Sequence, residues 1–406
     1  MRIIKKIAAA AAACAIMLTA GCSQEGSGEN VSNTAQREKI RIWSYYETQA
    51  QRQGMDELLK GFNQSQNLYE ASWEYYPMTG FNKKLSSAFT ENDLPDMAIL
   101  DNPDMPVMIR LGIFEEITEQ VEEWNEQDAF YPAILKTAEY EGGYYGVPFN
   151  CNNTALIYNK DMLEEAGIEP PETWDELREA AKRLTTQERT GFLMCGIEGE
   201  QGAFQILPWI LAAGEEPQDL GGEKTKEAFA FLQSLIEDGS LSESCINLTQ
   251  TDVARRFMES GAAIIQNGPW VFPMIEDAGI SYGVIEIPCR DGENPSANAV
   301  VGGENIGILK GKNKEGSLAF IRYFMEEASA GFCRKANVLP GNKGAAQKMA
   351  AGDENMQVFE KQMHTAVTRT SIERWPAISK ALTDGLFQLV AREKTPEEIA
   401  KSFNPK

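Results

Sequence analysis

Two hydrophobic rhythms follow one another along this chain. The first is one unbroken apolar run over residues 7–18, preceded by Arg2, Lys5 and Lys6 and followed by small residues. A dozen or so apolar residues are too short to cross a hydrocarbon core of ~30 Å as a helix, so the pattern predicts an export signal over 1–21. Residues 22–37 are rich in Ser, Gly, Glu, Asn and Gln, and Val31 is their one aliphatic residue after Cys22. Such a composition cannot bury a core and predicts a flexible tether.

The second rhythm begins at Lys39 and alternates short apolar strands with amphipathic helices. Ile40–Trp43 reads as a strand, and Met55, Leu58, Leu59 and Phe62 then recur at helical spacing over 54–63. A strand over 71–75, a helix over 81–90 and an apolar strand over 96–100 follow. After Val147-Pro148 a strand is predicted over 154–158, and Thr173 with Glu176 forms a capping box that opens a helix through Leu184. Further helices are predicted over 203–213, 224–237, 252–260, 314–326 and 377–391. Repeated strand and helix units predict an α/β fold with parallel or mixed sheets covered by helices. The strand over 96–100 ends in Asp101-Asn102, at the carboxyl edge where open α/β sheets bind ligands. Asp-Asn-Pro is equally a turn-forming sequence. At 406 residues the chain exceeds one compact core and predicts two lobes.

Charge narrows the partners. With 60 acidic and 38 basic residues the chain carries −22, which disfavours nucleic acid and anionic surfaces. Cysteines 151, 195, 245, 289 and 333 show neither Cys-x-x-Cys spacing nor a neighbouring histidine, so buried free thiols are expected in place of disulfides or zinc. The single histidine, His364, has no metal-ligand spacing, and no Gly-x-Ser-x-Gly elbow is present. Serine or metal hydrolysis is therefore unsupported. A glycosidase needs only two carboxylates and stays open on composition.

Leu18-Thr19-Ala20-Gly21-Cys22 resembles the lipobox of bacterial lipoproteins, which implies lipidation at Cys22. Tyr145-Gly146-Val147-Pro148, Tyr158-Asn159-Lys160-Asp161-Met162 and Thr173-Trp174-Asp175-Glu176-Leu177 resemble the central signature of the extracellular solute-binding proteins of ABC importers, in their maltose-binding-protein-like, carbohydrate-binding group. Asn267-Gly268-Pro269-Trp270 resembles the ligand-facing turn of that family, and the run from Val301 to Ile308 its return crossing. The resemblance implies a two-lobed periplasmic-binding-protein-like fold of type II, with a ligand cleft between lobes joined by crossing strands. By position it implies one lobe over 38–149 and 300–344 and another over 150–299 and 345–406. It further implies a monomer, lipid-anchored on the outer face of the bacterial cell membrane, that needs no cofactor or metal, catalyses nothing and delivers a carbohydrate to an ABC permease.

A pyranose offers an apolar face for aromatic stacking and a rim of hydroxyls for amides and carboxylates. Trp270 and Trp375 match the family's stacking platforms. Trp43, Tyr45, Tyr46 and Glu47 follow the first strand, where one or two of the four are expected to face the cleft and Trp43 is open to a core role. Asp101, Asn150, Asn152, Glu304 and Asn305 are the expected hydroxyl ligands, with Gly302 and Gly303 permitting close approach. Phe204, Gln205 and Trp209 lie where relatives place a further contact, and plain packing serves equally. Arg369 and Arg374 fit either an acidic sugar or salt bridges to the abundant carboxylates. Polyamine, iron or peptide ligands remain alternatives on the same fold, the polyamine because Glu47, Asp101 and Glu304 could combine with Trp270.

Overall fold

The computed structural model describes residues 37–292, 298–372 and 374–403. The expected export signal, the tether and Cys22 lie outside these described residues. The strands used below are β1 (Glu38–Ser44), β2 (Tyr69–Tyr75), β3 (Met97–Asp101), β4 (Val147–Pro148), β5 (Ala155–Asn159), β6 (Thr190–Leu193), β7 (Ala262–Asn267), β8 (Tyr282–Ile285), β9 (Val300–Val301), β10 (Glu304–Ile308) and β11 (Val367–Thr368). The helices are α1 (Gln49–Ser65), α2 (Phe81–Thr90), α3 (Trp174–Leu184), α4 (Glu200–Ala212), α5 (Glu223–Glu237), α6 (Gln250–Met258), α7 (Lys314–Tyr323), α8 (Ser329–Ala336), α9 (Glu354–Gln362) and α10 (Trp375–Val390).

Two mixed sheets organise these elements, as the repeated strand and helix units predict. The first has the order β2-β1-β3-β10-β4, with β1 parallel to both β2 and β3, and β10 antiparallel to β3 and β4. The second has the order β8-β5-β7-β6, antiparallel except for the β6/β7 pair. β3 and β7 are buried at every position, as strands covered on both faces must be. Helices α1 and α7 cover the first sheet, with α8 packed on α1. Helices α3, α4, α6 and α9 pack on or beside the second.

Local chemistry sets the helix starts. Thr173 accepts from the Glu176 amide while Glu176 accepts from the Thr173 amide, the capping box expected for α3. Thr48 with Gln51 and Thr249 with Asp252 form the same box at α1 and α6. The helix predicted over 314–326 ends its α-helical run at Tyr323, continues as a π turn over Phe324–Ala328 and becomes α8. Several elements have no counterpart among the predicted ones, among them β6, β8, α8 and α9. β6 is only four residues long, and α8 and α9 are eight and nine residues with broken apolar spacing.

The chain passes between the two sheets in three neighbouring segments. Cys151 and Leu339 exchange backbone hydrogen bonds of 2.8 and 3.0 Å, and Asn152 and Gly302 exchange bonds of 3.1 and 2.8 Å. Gly303 follows at φ +114°, where an added Cβ would lie 2.4 Å from the Asn150 carbonyl, so a side chain there would push the crossings apart. Phe149 anchors this region in the core, stacked on Phe324 at 4.0 Å and tilted against Phe332 at 4.7 Å. The five cysteines from Cys151 to Cys333 are buried and form no disulfide among the described residues, as the sequence predicts.

Phe149 is fully buried. Phe149→Ala is expected to lower the unfolding free energy by ~3–5 kcal/mol in urea denaturation. A loss below ~1 kcal/mol would show that the crossings do not depend on this packing.

Candidate functional site

The crossings form the floor of a cleft between the two sheets, with an empty volume of about 690 Å³ that opens to solvent. Its walls come from the carboxyl ends of β1 and β3 (Tyr45, Glu47, Asp101), the start of β10 (Gly303, Glu304), the turn after β7 (Trp270), the crossing residues Asn152 and Gly302, and Arg369. The N-terminal turns of α1, α4 and α6 complete it with Thr48, Gln51, Glu200, Gln201, Phe204, Gln250 and Thr251.

A buried ion cluster closes the inner end. The Arg369 guanidinium is 1 % exposed and donates from Nη2 to Asp101 Oδ1 at 2.9 Å, from Nη1 to Asp101 Oδ2 at 3.3 Å, and from Nη1 to Glu200 Oε2 at 2.9 Å. Its planar face lies 4.6 Å from the Phe204 ring centroid, a cation–π contact. Glu200 also accepts from the Trp375 indole N–H at 3.1 Å. Burial raises Asp101 to about 6 against the pull of Arg369, and raises the neighbouring Asp104 to about 7.

Glu304 occupies the opposite environment. It pairs with Asp101 in the β3/β10 register but touches no cation. The Tyr45 hydroxyl donates to its Oε1 at 2.9 Å, the Tyr46 hydroxyl to Oε2 at 3.2 Å and the Asn150 amide to Oε2 at 2.6 Å. Burial first, and the nearby Asp101 second, raise its carboxyl to about 7 against these three bonds.

Of the residues expected at the site, Glu47, Asp101, Asn152, Trp270, Gly303 and Glu304 line the cleft. Tyr46 and Asn150 stand behind Glu304 and orient it. Trp375 stands behind Glu200 and is bonded to it. Three expectations need correction. Trp43 shares a core cluster with Tyr45 and Tyr76, the latter 4.5 Å away, but it lies within β1, whereas Tyr45 lies past the carboxyl end of the strand, at the cleft. Asn305 is turned away from its neighbour Glu304, because alternate strand residues face opposite sides, and bonds Thr137. Gln205 is fully buried, since one helical step of about 100° separates it from Phe204, which reaches the wall. The exposed Arg374 does not line the cleft, and Arg369 takes the salt-bridge role.

Thr48, Gln51, Met78, Glu200, Gln201, Gln250 and Thr251 were not among the expected contacts. The Thr48/Gln51 and Thr249/Asp252 capping boxes carry a readable signal, because each marks a helix N-terminus that ends at the cleft. Across the mouth the Thr251 hydroxyl donates to Glu47 Oε1 at 2.6 Å, bridging the exit of β1 to α6. Trp270 lies over Gly268, where any Cβ would collide with the indole ring.

Residues 57–360 match the model of a family described as bacterial extracellular solute-binding protein. Over 303 residues the chain is 25 % identical to the sn-glycerol-3-phosphate-binding periplasmic protein UgpB of Rhizobium meliloti, covering 67 % of each chain. Over 240 residues it is 29 % identical to the maltotriose-binding protein of Pyrococcus abyssi, covering 57 % of this chain and half of that protein. Among solved structures, an ABC transporter solute-binding protein from Thermotoga lettingae, bound with alpha-D-tagatose, superposes with a TM-score of 0.81 at 24 % identity, over 90 % of this chain and 97 % of that one. Maltose-bound MalE3 of T. maritima gives a TM-score of 0.80 at 22 % identity, over 90 % of this chain and 97 % of that one. These structural matches show a shared two-domain fold.

Replacing Arg369 by leucine leaves Asp101 and Glu200 buried beside Asp104 without a cation. Arg369→Leu is expected to cost ~3–5 kcal/mol of stability at pH 7.5. Without the Arg369 charge that pulls it down, buried Asp101 is raised further in the folded state, so the deficit should shrink as pH falls towards 5 and Asp101 protonates. Paired urea melts at the two pH values check this, and a deficit that grows on acidification would contradict the ion-cluster account.

Proposed function

The chain belongs to the bacterial extracellular solute-binding protein family, and from that premise we propose that it is a lipid-anchored receptor that captures a sugar or oligosaccharide and delivers it to an ABC permease. The observation that carries the sugar reading is that Trp270, Tyr45 and Phe204 line the same cleft as Asp101, Asn152 and Glu304. Aromatic faces suit the C–H face of a pyranose, and planar amides and carboxylates suit its hydroxyls.

Two relatives bind different ligands by name, glycerol 3-phosphate and maltotriose. The charges here favour the sugar. Glu47, Asp101, Glu200 and Glu304 line the cleft against one cation, and both terminal nitrogens of Arg369 are engaged by Asp101 and Glu200. A phosphate would meet carboxylates and no free guanidinium.

In this reading Trp270 stacks on the ligand, while Asp101, Asn152 and Glu304 bond its hydroxyls. Tyr46, Asn150 and Trp375 position the carboxylates. The lobes divide near 149/150, 299/300 and 344/345, and hinge closure at the crossings presents a distinct surface to the permease. The receptor acts as a monomer, tethered through lipid on Cys22, and releases its ligand unchanged.

Calorimetric titration against mono- and oligosaccharides and glycerol 3-phosphate tests the reading. Micromolar or tighter saccharide binding with a raised melting temperature is expected. Binding of glycerol 3-phosphate alone, or cleavage of the sugar, would overturn it. Trp270→Ala should weaken saccharide binding by ~1–3 kcal/mol and, because the indole is only 9 % exposed and packs in the core, also lower the melting temperature of the free protein. Equal affinity with a collapsed melting temperature would make Trp270 a core residue only.

A further inference from the structure

The cleft carries an electrostatic mismatch that a neutral sugar does not resolve. Each of its other carboxylates already has a positive counterpart. Asp101 and Glu200 share Arg369. Glu200 also opens α4 and Glu47 immediately precedes the Thr48 cap of α1, so both meet the positive end of a helix dipole. Asp252 does the same inside the α6 capping box. Glu304 lies on a strand, so no helix end serves it, and no ion pair among the described residues reaches it.

Every donor that meets Glu304 is neutral. Two phenols and one amide supply three hydrogen bonds, and an ionised carboxylate accepts about four. The side chain is 9 % exposed, and that remaining exposure faces the cleft. The titratable groups around it are Tyr45, Tyr46, Asp101 and the thiols of Cys151 and Cys333. Burial raises both phenols and both thiols, so none of them supplies positive charge. Filling the cleft removes the last water from this carboxylate, which must then either hold a proton or meet a cation.

We infer that the cleft takes a saccharide bearing a protonated primary amine, with the ammonium group seated against Glu304. The inference rests on the receptor reading above and narrows its substrate class. An ammonium supplies the missing donor and the missing charge together, in a charge-assisted hydrogen bond. Trp270, Tyr45 and Phe204 line the same cleft and supply the aromatic surface for the sugar. A free diamine offers the same ammonium without the pyranose surface, so the two sources of this chemistry are separable by experiment.

The test is calorimetry on the whole protein with glucosamine and de-N-acetylated chitobiose, their N-acetylated and hydroxyl counterparts, and putrescine. At pH 6.5, where Glu304 is partly protonated before binding, runs in two buffers of different ionisation heat report proton release. The amine-bearing sugars are expected to bind ten- to a hundredfold tighter than their neutral counterparts, with proton release. Glu304→Gln should erase that preference, so that amine-bearing and neutral sugars bind alike, and should abolish the proton release. Equal or tighter binding of the neutral sugars by the unaltered protein would overturn the inference and leave the saccharide receptor standing. Putrescine binding without any saccharide binding would overturn both.

Discussion

One buried guanidinium organises this cleft. Arg369 sits at 1 % exposure between a carboxylate at the end of β3, a strand of the first sheet, and a carboxylate at the start of helix α4. Taking three charges out of water is costly, and only good geometry with full hydrogen bonding offsets the cost. Asp101 supplies that geometry with two bonds, Glu200 with one, and the Phe204 ring covers the guanidinium face. The consequence reaches the ligand site directly. A cation committed to this cluster is withheld from the ligand, so the remaining wall is acidic and recognition falls to neutral donors, acceptors and aromatic faces.

The same commitment explains why Glu304 is set up as it is. Tyr46 and Asn150 are buried away from the cleft, yet they fix the carboxylate orientation from behind while Tyr45 does so from the wall. Preorganisation of this kind reduces the ordering cost of binding. The three crossings beneath, joined by paired backbone bonds at Cys151/Leu339 and Asn152/Gly302, are the natural place for a change of angle between the sheets, since few residues there are shared by both. Thr251 and Glu47 meet across the mouth and favour the approach of the two sides.

Much of this was legible in the sequence, for identifiable reasons. The α/β class followed from strands with continuous apolar runs, such as Ala98-Ile99-Leu100, and from capping chemistry at Thr173/Glu176, because both signals are local. Trp270 and Glu304 were legible from the turns that precede them, Asn267-Gly268-Pro269 and Gly302-Gly303, whose glycines are needed by the indole ring and by the crossing backbone. What failed was the facing of neighbours. Glu304 reaches the cleft and Asn305 does not, and Phe204 reaches it while Gln205 does not, because one residue of register decides the side. Trp43 was lost for a different reason: it lies within β1, before the carboxyl end where Tyr45 reaches the cleft, and packs into a cluster with Tyr76 and Phe81 that no local pattern announces. Arg369 lies 268 residues from Asp101, so its partner is set by tertiary folding alone.

The most direct measurement is a crystal structure of the protein grown with a saccharide that binds it. The account predicts a pyranose ring over Trp270, a ligand nitrogen or oxygen about 3 Å from Glu304, and Arg369 still bonded to Asp101 and Glu200. A ligand seated away from Trp270, or an Arg369 swung out of its cluster to grip an anionic group, would contradict it.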